Sequence, residues 1–197
     1  MKKNILITGC SRGLGKKMAT KFKEYGHNII YHSGRAHYDL SNMEELFDLV
    51  LYAKKNNVNM LINNAAITCP SLPLKQYDTS LILNMLDVNL KAPILLTYYL
   101  LDHLENIINI NSMVGLEIKK PRTLYSATKW GLRGFSNSLK AENKKIKILD
   151  VYPTNIKTTP DRQNAMDIDM VVDKIYQSYL NGEEELILDG RVAWKQF

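Results

Sequence analysis

Short apolar runs alternate along this chain with longer segments of helical periodicity. Asn4–Thr8 reads as a buried strand, and Asn28–Tyr31, Asn59–Asn63, Ile107–Asn111, Lys147–Tyr152 and Glu185–Asp189 repeat the pattern. Between them the apolar spacing predicts helices over roughly 14–25, 42–56, 78–104, 124–142 and 168–180. Strands that are apolar on both faces and alternate with helices form a parallel sheet covered on two sides. The expected fold is α/β, a doubly wound parallel sheet of about seven strands in one domain spanning 1–197. One interval departs from the pattern. Too few residues separate the second strand from Tyr38-Asp39-Leu40 to hold a helix. The third strand is therefore expected to be very short, near Ala36–Asp39, and reached by a tight turn.

Composition narrows the function classes. No stretch approaches the roughly 20 apolar residues that span a bilayer, so no membrane partner is expected. The opening Met1-Lys2-Lys3 leads into an apolar run that breaks at Thr8-Gly9, too soon for a signal sequence. A cytoplasmic protein is expected. The net charge of +6 raises nucleic acid as a partner. Lys16, Lys17, Lys21 and Lys23, however, form the wet face of one helix, and no basic stripe is interleaved with aromatics. Nucleic-acid binding is not expected. Cys10 and Cys69 imply no disulfide framework. His27, His32, His37 and His103 have no zinc spacing with them, so no metal is expected. His32 reads as a surface residue in preference to a wall of a nucleotide pocket.

The first strand runs into Thr8-Gly9-Cys10-Ser11-Arg12-Gly13-Leu14-Gly15, and a helix follows. Glycines permit a tight turn and let backbone approach a pyrophosphate. The helix N-terminus beyond them offers free N–H groups and a positive dipole end. A lone glycine pattern is weak; its place between a buried strand and an amphipathic helix is the context a nucleotide loop needs.

This G-x-x-x-G-x-G spacing resembles the short-chain dehydrogenase/reductase family, and further motifs follow in the family's order. Asn63-Asn64-Ala65-Ala66 resembles N-N-A-G. Asn89 falls at the family's helix asparagine. Ser112 lies 13 residues before Tyr125, and Tyr125-Ser126-Ala127-Thr128-Lys129 gives Y-x-x-x-K. Pro153 to Thr158 resembles P-G-x-x-x-T. The resemblance covers nearly the whole chain. It implies a Rossmann-type sheet, here without the helix between the second and third strands. It implies catalytic roles for Asn89, Ser112, Tyr125 and Lys129. The implied cofactor site takes Gly9, Ser11, Arg12, Gly13, Leu14 and Gly15 from the first loop. Ser33, Arg35, Asp39 and Leu40 come from the second. Asn63, Ala65, Pro153, Ile156 and Thr158 join them, together with Tyr125 and Lys129. Departures are Ala66 and Thr154 in place of family glycines, Asn111 where many members have serine, and a short segment after Thr158.

Tyr125 and Lys129 share one helix face, a turn apart. A nearby ammonium favours a phenolate, which fits a tyrosine for proton transfer near neutrality. The resemblance implies that hydride passes between a nicotinamide and a carbonyl carbon while Tyr125 exchanges the proton. Ser112 would bond the substrate oxygen and Lys129 would hold the ribose. Asn89 would anchor a proton-relay water, a role compatible with bonding backbone at a helix kink. Tyr31-His32-Ser33-Gly34-Arg35 lacks the carboxylate that selects NAD. With Arg12 in the glycine loop, NADP(H) is expected over NAD(H). Asp39 has two readings, an adenine contact or a cap before Ser41.

The expected partner is a small carbonyl or alcohol compound. Its pocket wall is expected from Met113, Val114, Ile118, Leu124, Thr159 and Pro160. Lys119, Lys120 and Arg122 read either as attractors of an acidic substrate or as ordinary surface. Family members commonly pair through the two long helices, so a homodimer or homotetramer is expected, with Tyr98, Trp130 and Phe135 as contacts. A regulatory or scaffold protein that binds a dinucleotide without turnover is the competing function, because a fold alone does not settle activity.

Overall fold

The computed structural model describes residues 1–32, 34–68, 71–159 and 163–191. Ser33, Cys69 and Pro160, named above, lie outside them. Six parallel strands form one sheet: β1 (Asn4–Thr8), β2 (Asn28–His32), β3 (Met60–Asn63), β4 (Asn106–Ile110), β5 (Lys147–Pro153) and β6 (Glu185–Leu188). Their order is β2-β1-β3-β4-β5-β6. The chain steps outward from β1 to β2, then returns to place β3 on the other side of β1. That reversal opens a crevice at the carboxyl ends of β1 and β3, where doubly wound sheets take ligands.

Helices cover both faces. α1 (Gly13–Glu24) and α6 (Ile168–Asn181) pack Met18, Phe22, Val171 and Ile175 on one face. α2 (Met43–Lys55), α4 (Ala92–Leu100) and α5 (Thr123–Glu142) cover the other with Leu46, Leu49, Leu96 and Leu139. α3 (Thr79–Leu86) continues through a π turn over Asp87–Lys91 into α4. The helical stretch Thr79–His103 is long and apolar enough to cross a membrane by length and composition, contrary to expectation. Here it supplies Met85, Val88, Ala92, Leu96 and Leu100 to the core.

The short strand expected near Ala36–Asp39 does not form. After β2 the chain turns at Gly34, whose φ of +86° suits glycine. His37 and Tyr38 both donate to the Gly34 carbonyl, at 2.9 and 3.2 Å. These residues are spent on reversing the chain directly into α2, so β2 stays at the sheet edge and the sheet has six strands rather than seven among the described residues.

A buried polar chain sets α5 against the sheet. Asn63 Nδ2 donates to Asn109 Oδ1 (2.9 Å), and Asn109 Nδ2 donates to Asp150 Oδ1 (3.1 Å). Ser136 Oγ and the Lys140 ammonium both reach Asp150 Oδ2, at 2.6 and 2.8 Å. Asp150 is fully buried. A buried carboxylate is tolerable only when paired and hydrogen-bonded in this way. The pairing fixes the helix that carries Tyr125 and Lys129.

Candidate active site

The helix starts differ where it matters. Asn42, Asp78 and Asp167 cap α2, α3 and α6 with side-chain oxygens. α1 follows Arg12 with no side-chain cap and no acidic residue in its first turn, as does α5 after Arg122. Only at α1 does a glycine loop lead into the free N–H groups, the arrangement that takes an anion.

The glycine loop is locked to the strand beside it. Thr8 Oγ1 accepts from the backbone N–H groups of Asn64 and Ala65, each at 3.0 Å. Asn64 Nδ2 donates to the carbonyls of Thr8 and Gly9, at 2.8 and 3.1 Å. A Cβ on Gly15 would fall on the Gly9 carbonyl oxygen and on Asn64 Nδ2, so no larger residue fits. Gly13 packs against Thr158. Asn63, expected at the cofactor, is instead buried in the Asn109 chain, and its neighbour Asn64 lines the cavity. In a strand side chains alternate, so one position decides which asparagine faces the loop.

A cavity of about 550 Å³ lies over this loop, and Gly9, Ser11, Arg12, Leu14 and Gly15 form one side. Arg35, Asp39, Leu40 and Ala65 close the other. Arg35 Nε pairs with Asp39 Oδ2 at 3.1 Å. Asp39 Oδ1 accepts from Ser41 N and Oγ, at 2.9 and 2.7 Å. Burial works against the charged form of Asp39, but the Ser41 bonds and Arg35 outweigh it and hold the carboxyl below its ordinary range. Asp39 therefore both lines the cavity and ties the turn; the cap of α2 itself is Asn42.

His32 corrects the surface reading. It is 1% exposed and lines this cavity. Its Nδ1 accepts from Gly9 N–H (3.0 Å), so the Nε2–H donates to the Tyr38 carbonyl, 2.7 Å away. One neutral imidazole thus joins the glycine loop to the turn after β2. Burial pushes its pKa down. The signal for this placement is period two: Ile30 and His32 share the inward face of β2.

A second cavity, about 610 Å³, opens beyond the ends of β4, β5 and β6. Ser112 and Tyr125 both line it. Ser112 starts a single turn, Met113–Gly115, and its Oγ accepts from Val114 N–H at 3.3 Å. Tyr125, on the first turns of α5, is 8% exposed. Lys129 sits behind it and lines neither cavity. Its ammonium lies 5.7 Å from the Tyr125 ring centre and donates to the Ile110 carbonyl at 2.9 Å. Complete burial pushes its pKa down to about 8. Asn111 bridges strand and helix: its Oδ1 accepts from Ser112 N–H (3.0 Å) and its Nδ2 donates to the Lys129 carbonyl (3.2 Å). Asn89, at the π turn, also lines neither cavity. Its Oδ1 accepts from Ile67 N–H (2.7 Å) and its Nδ2 donates to the Ile67 carbonyl (2.9 Å), so the side chain latches the loop after β3.

Pro153, Ile156 and Thr158 line the same cavity, as do Met113 and Val114. Other expected wall residues do not. Ile118 is 90% exposed, and Leu124 is buried with Tyr77 and Met85. Thr159 is also absent from the lining. Their places are taken by Asn155, at an unspecified position of the Pro153–Thr158 motif, and by Thr68, Asn164, Gly190 and Arg191, which no motif marks. Thr154, in place of a family glycine, explains the last two. Its Oγ1 accepts from Gly190 N–H (2.9 Å) and donates to the Leu188 carbonyl (3.3 Å), drawing the segment after β6 over the cavity.

A doubly wound sheet with an uncapped helix start behind a glycine loop defines a dinucleotide-binding protein of the Rossmann class. Similarity to known proteins places it more narrowly. The chain belongs to the short chain dehydrogenase family, whose model matches residues 34–168, and is an oxidoreductase. It is 30% identical to a 3-oxoacyl-[acyl-carrier-protein] reductase FabG of Rickettsia prowazekii, over 88% of this chain and 81% of that protein. Its fold is similar to a bulky-bulky ketone specific alcohol dehydrogenase from Comamonas testosteroni (TM-score 0.82, 24% identity, 94% and 85% coverage). It is also similar to a short-chain dehydrogenase from Sphingobium yanoikuyae in complex with NADPH (TM-score 0.80, 20% identity, 94% and 87% coverage).

Proposed function

We propose that the chain is an NADP(H)-dependent enzyme that interconverts a carbonyl and an alcohol on a small substrate, with Tyr125 as general acid and base. The observation that carries this reading is the arrangement at the second cavity. A serine hydroxyl and a tyrosine line one open space, and a buried ammonium stands behind the tyrosine. Burying a charge costs stability, and here the buried ammonium stands where it can tune Tyr125 for proton transfer.

The adenosine and pyrophosphate end of the cofactor fits the first cavity, and Pro153, Ile156 and Thr158, beside Tyr125 in the second, would take its nicotinamide end. The uncapped start of α1 offers donors to a pyrophosphate, and Gly9 and Gly15 keep side chains out of its path. Arg12 is exposed at the loop and Arg35 lines the cavity from the facing turn. Both suit a 2′-phosphate, and no carboxylate ends β2. The solved relative that carries NADPH supports the same choice. NADPH, when bound, supplies the hydride. Tyr125 then donates its proton to the oxygen on which charge develops, and Ser112 donates a hydrogen bond to that oxygen. Lys129 stabilises the negative charge left on the Tyr125 oxygen. Asn111 and Asn89 position Ser112, α5 and the loop after β3. Asn89 takes this positioning role through its side chain, which both bonds to Ile67 occupy.

The protein also pairs through α4 and α5. Tyr98 and Trp130 stand 67% and 43% exposed on these helices, whereas Phe135 is partly drawn into the core. Size-exclusion with light scattering checks this; a monomer refutes it. The enzymatic reading is tested by oxidation of NADPH in the presence of aldehydes, ketones, quinones and keto acids, with Ser112→Ala beside the wild type. Turnover reduced at least about tenfold by the substitution supports it. Binding of NADPH without turnover of any compound overturns it.

A further inference from the structure

Building on the reductase reading, we propose that the substrate carries an anionic group, a carboxylate or phosphate, held by Arg122 and Lys119 in the lining of the second cavity. Four charged residues line that cavity among the described residues: Glu117, Lys119, Arg122 and Arg191. Two of them are spent on each other. Arg191 Nη1 and Nη2 donate to the two Glu117 oxygens, at 2.7 and 3.2 Å. The same guanidinium donates through Nε and Nη2 to Asp189, at 2.7 and 2.8 Å. Glu117 is the one carboxylate among the described lining residues, and it is fully engaged.

Lys119 and Arg122 are left over. Neither forms an ion pair with a described residue. Arg122 immediately precedes α5 and is partly buried, so its charge is less screened than that of a free surface residue. It stands one helical turn before Tyr125, which places a cation and the proton-transferring phenol along the same wall. Met113, Val114 and Ile156 add an apolar part to the same lining. The cavity therefore combines the reacting pair, an apolar surface and two cations. Lys120, the third base of this segment, is exposed and lines nothing. A neutral carbonyl compound leaves both cations without a partner; an anion gains charge-assisted hydrogen bonds from them.

The test uses matched pairs: 4-oxopentanoate against its methyl ester, and dihydroxyacetone phosphate against dihydroxyacetone. Steady-state kcat/KM is measured with NADPH at low and high ionic strength, in wild type, Arg122→Gln and Lys119→Glu. The expected result is a preference of about tenfold or more for the anionic member of one pair, and which pair shows it separates carboxylate from phosphate. That preference shrinks by about tenfold in Arg122→Gln, reverses in Lys119→Glu and weakens with salt in the wild type. Turnover of the neutral members with equal or better kcat/KM overturns the anion site and leaves the reductase reading standing. If no compound turns over, the reductase reading fails instead. Calorimetric binding of 4-hydroxypentanoate and its methyl ester then decides the anion site. Selective binding of the acid that Arg122→Gln removes supports it, and no selectivity overturns it.

Discussion

The two cavities along the carboxyl edge of the sheet are close in size, about 550 and 610 Å³, yet they are built in opposite ways. The first has a backbone floor, with His32, Arg35 and Asp39 closing its other side. Gly9, Gly15, the start of α1 and the Asn64-Ala65 segment form that floor, held by hydrogen bonds that leave no room for a side chain. The second is made of side chains from loops after β3, β4, β5 and β6, brought together only by the fold. A backbone cradle suits a ligand that never changes. A wall of side chains on separate loops lets the substrate vary while the chemistry stays.

That difference predicts how each side fails. Tyr125→Phe removes the proton but little volume, so kcat falls by roughly 10³-fold with the NADPH dissociation constant nearly unchanged. Isothermal titration and turnover assays separate the two effects. An equal loss of binding would show that Tyr125 acts through the cradle. Gly15→Ala should act the other way, raising the NADPH dissociation constant by more than about tenfold as the Gly9 carbonyl or Asn64 is displaced. A lower Tm accompanies it, and unchanged binding would contradict a backbone-built site.

Lys129 sharpens the comparison, because activity and stability should move in opposite directions with pH. Its folded pKa of about 8 lies below the ordinary 10.5. Activity needs the ammonium, so kcat/KM declines as pH rises through about 8. Between that value and 10.5 the unfolded chain holds a proton that the native one has released. This group's contribution to stability therefore rises with pH across the window and is lost as pH falls through it. Lys129→Met should abolish most turnover while raising Tm at pH 7 by about 4 °C. A lower Tm would contradict a buried, costly charge.

Smaller effects are expected at the edges of the cradle. Arg12→Ala weakens NADPH by about tenfold and NADH by much less; tighter NADH than NADPH in the wild type would sink the preference. His32, with a depressed pKa, contributes stability that is complete above its ordinary 6.5 and lost as pH falls. Protonation removes the Nδ1 acceptor for Gly9, so NADPH affinity should fall as the pH drops below 6.5. His32→Gln should flatten that dependence.

What is legible in the amino-acid sequence follows the same division. The strand–glycine–helix unit and Tyr125–Lys129 are local patterns, so periodicity and spacing suffice to locate them. Six of the expected strands appear with shifts of a residue or two, since the apolar runs of the central strands, buried on both faces, mark them. The strand expected at Ala36–Asp39 fails because turn hydrogen bonds to Gly34 take the residues it needs. The substrate wall is opaque for a further reason. Glu117 meets Arg191 and Thr154 meets Gly190 across distant loops, and nothing local in Arg191 announces that it will clamp Glu117. His32 reads as surface because its polarity outweighs its place on the inward face of β2.

The central claim is that one tyrosine transfers the proton in a nicotinamide-dependent carbonyl reduction, and NADPH absorbance tests it most directly. The reduced nicotinamide would be followed optically in purified wild-type and Tyr125→Phe proteins against the same range of carbonyl compounds. The expected result is oxidation by the wild type that disappears in the variant while both still bind NADPH. Equal oxidation by both, or none by the wild type at saturating cofactor, would contradict it.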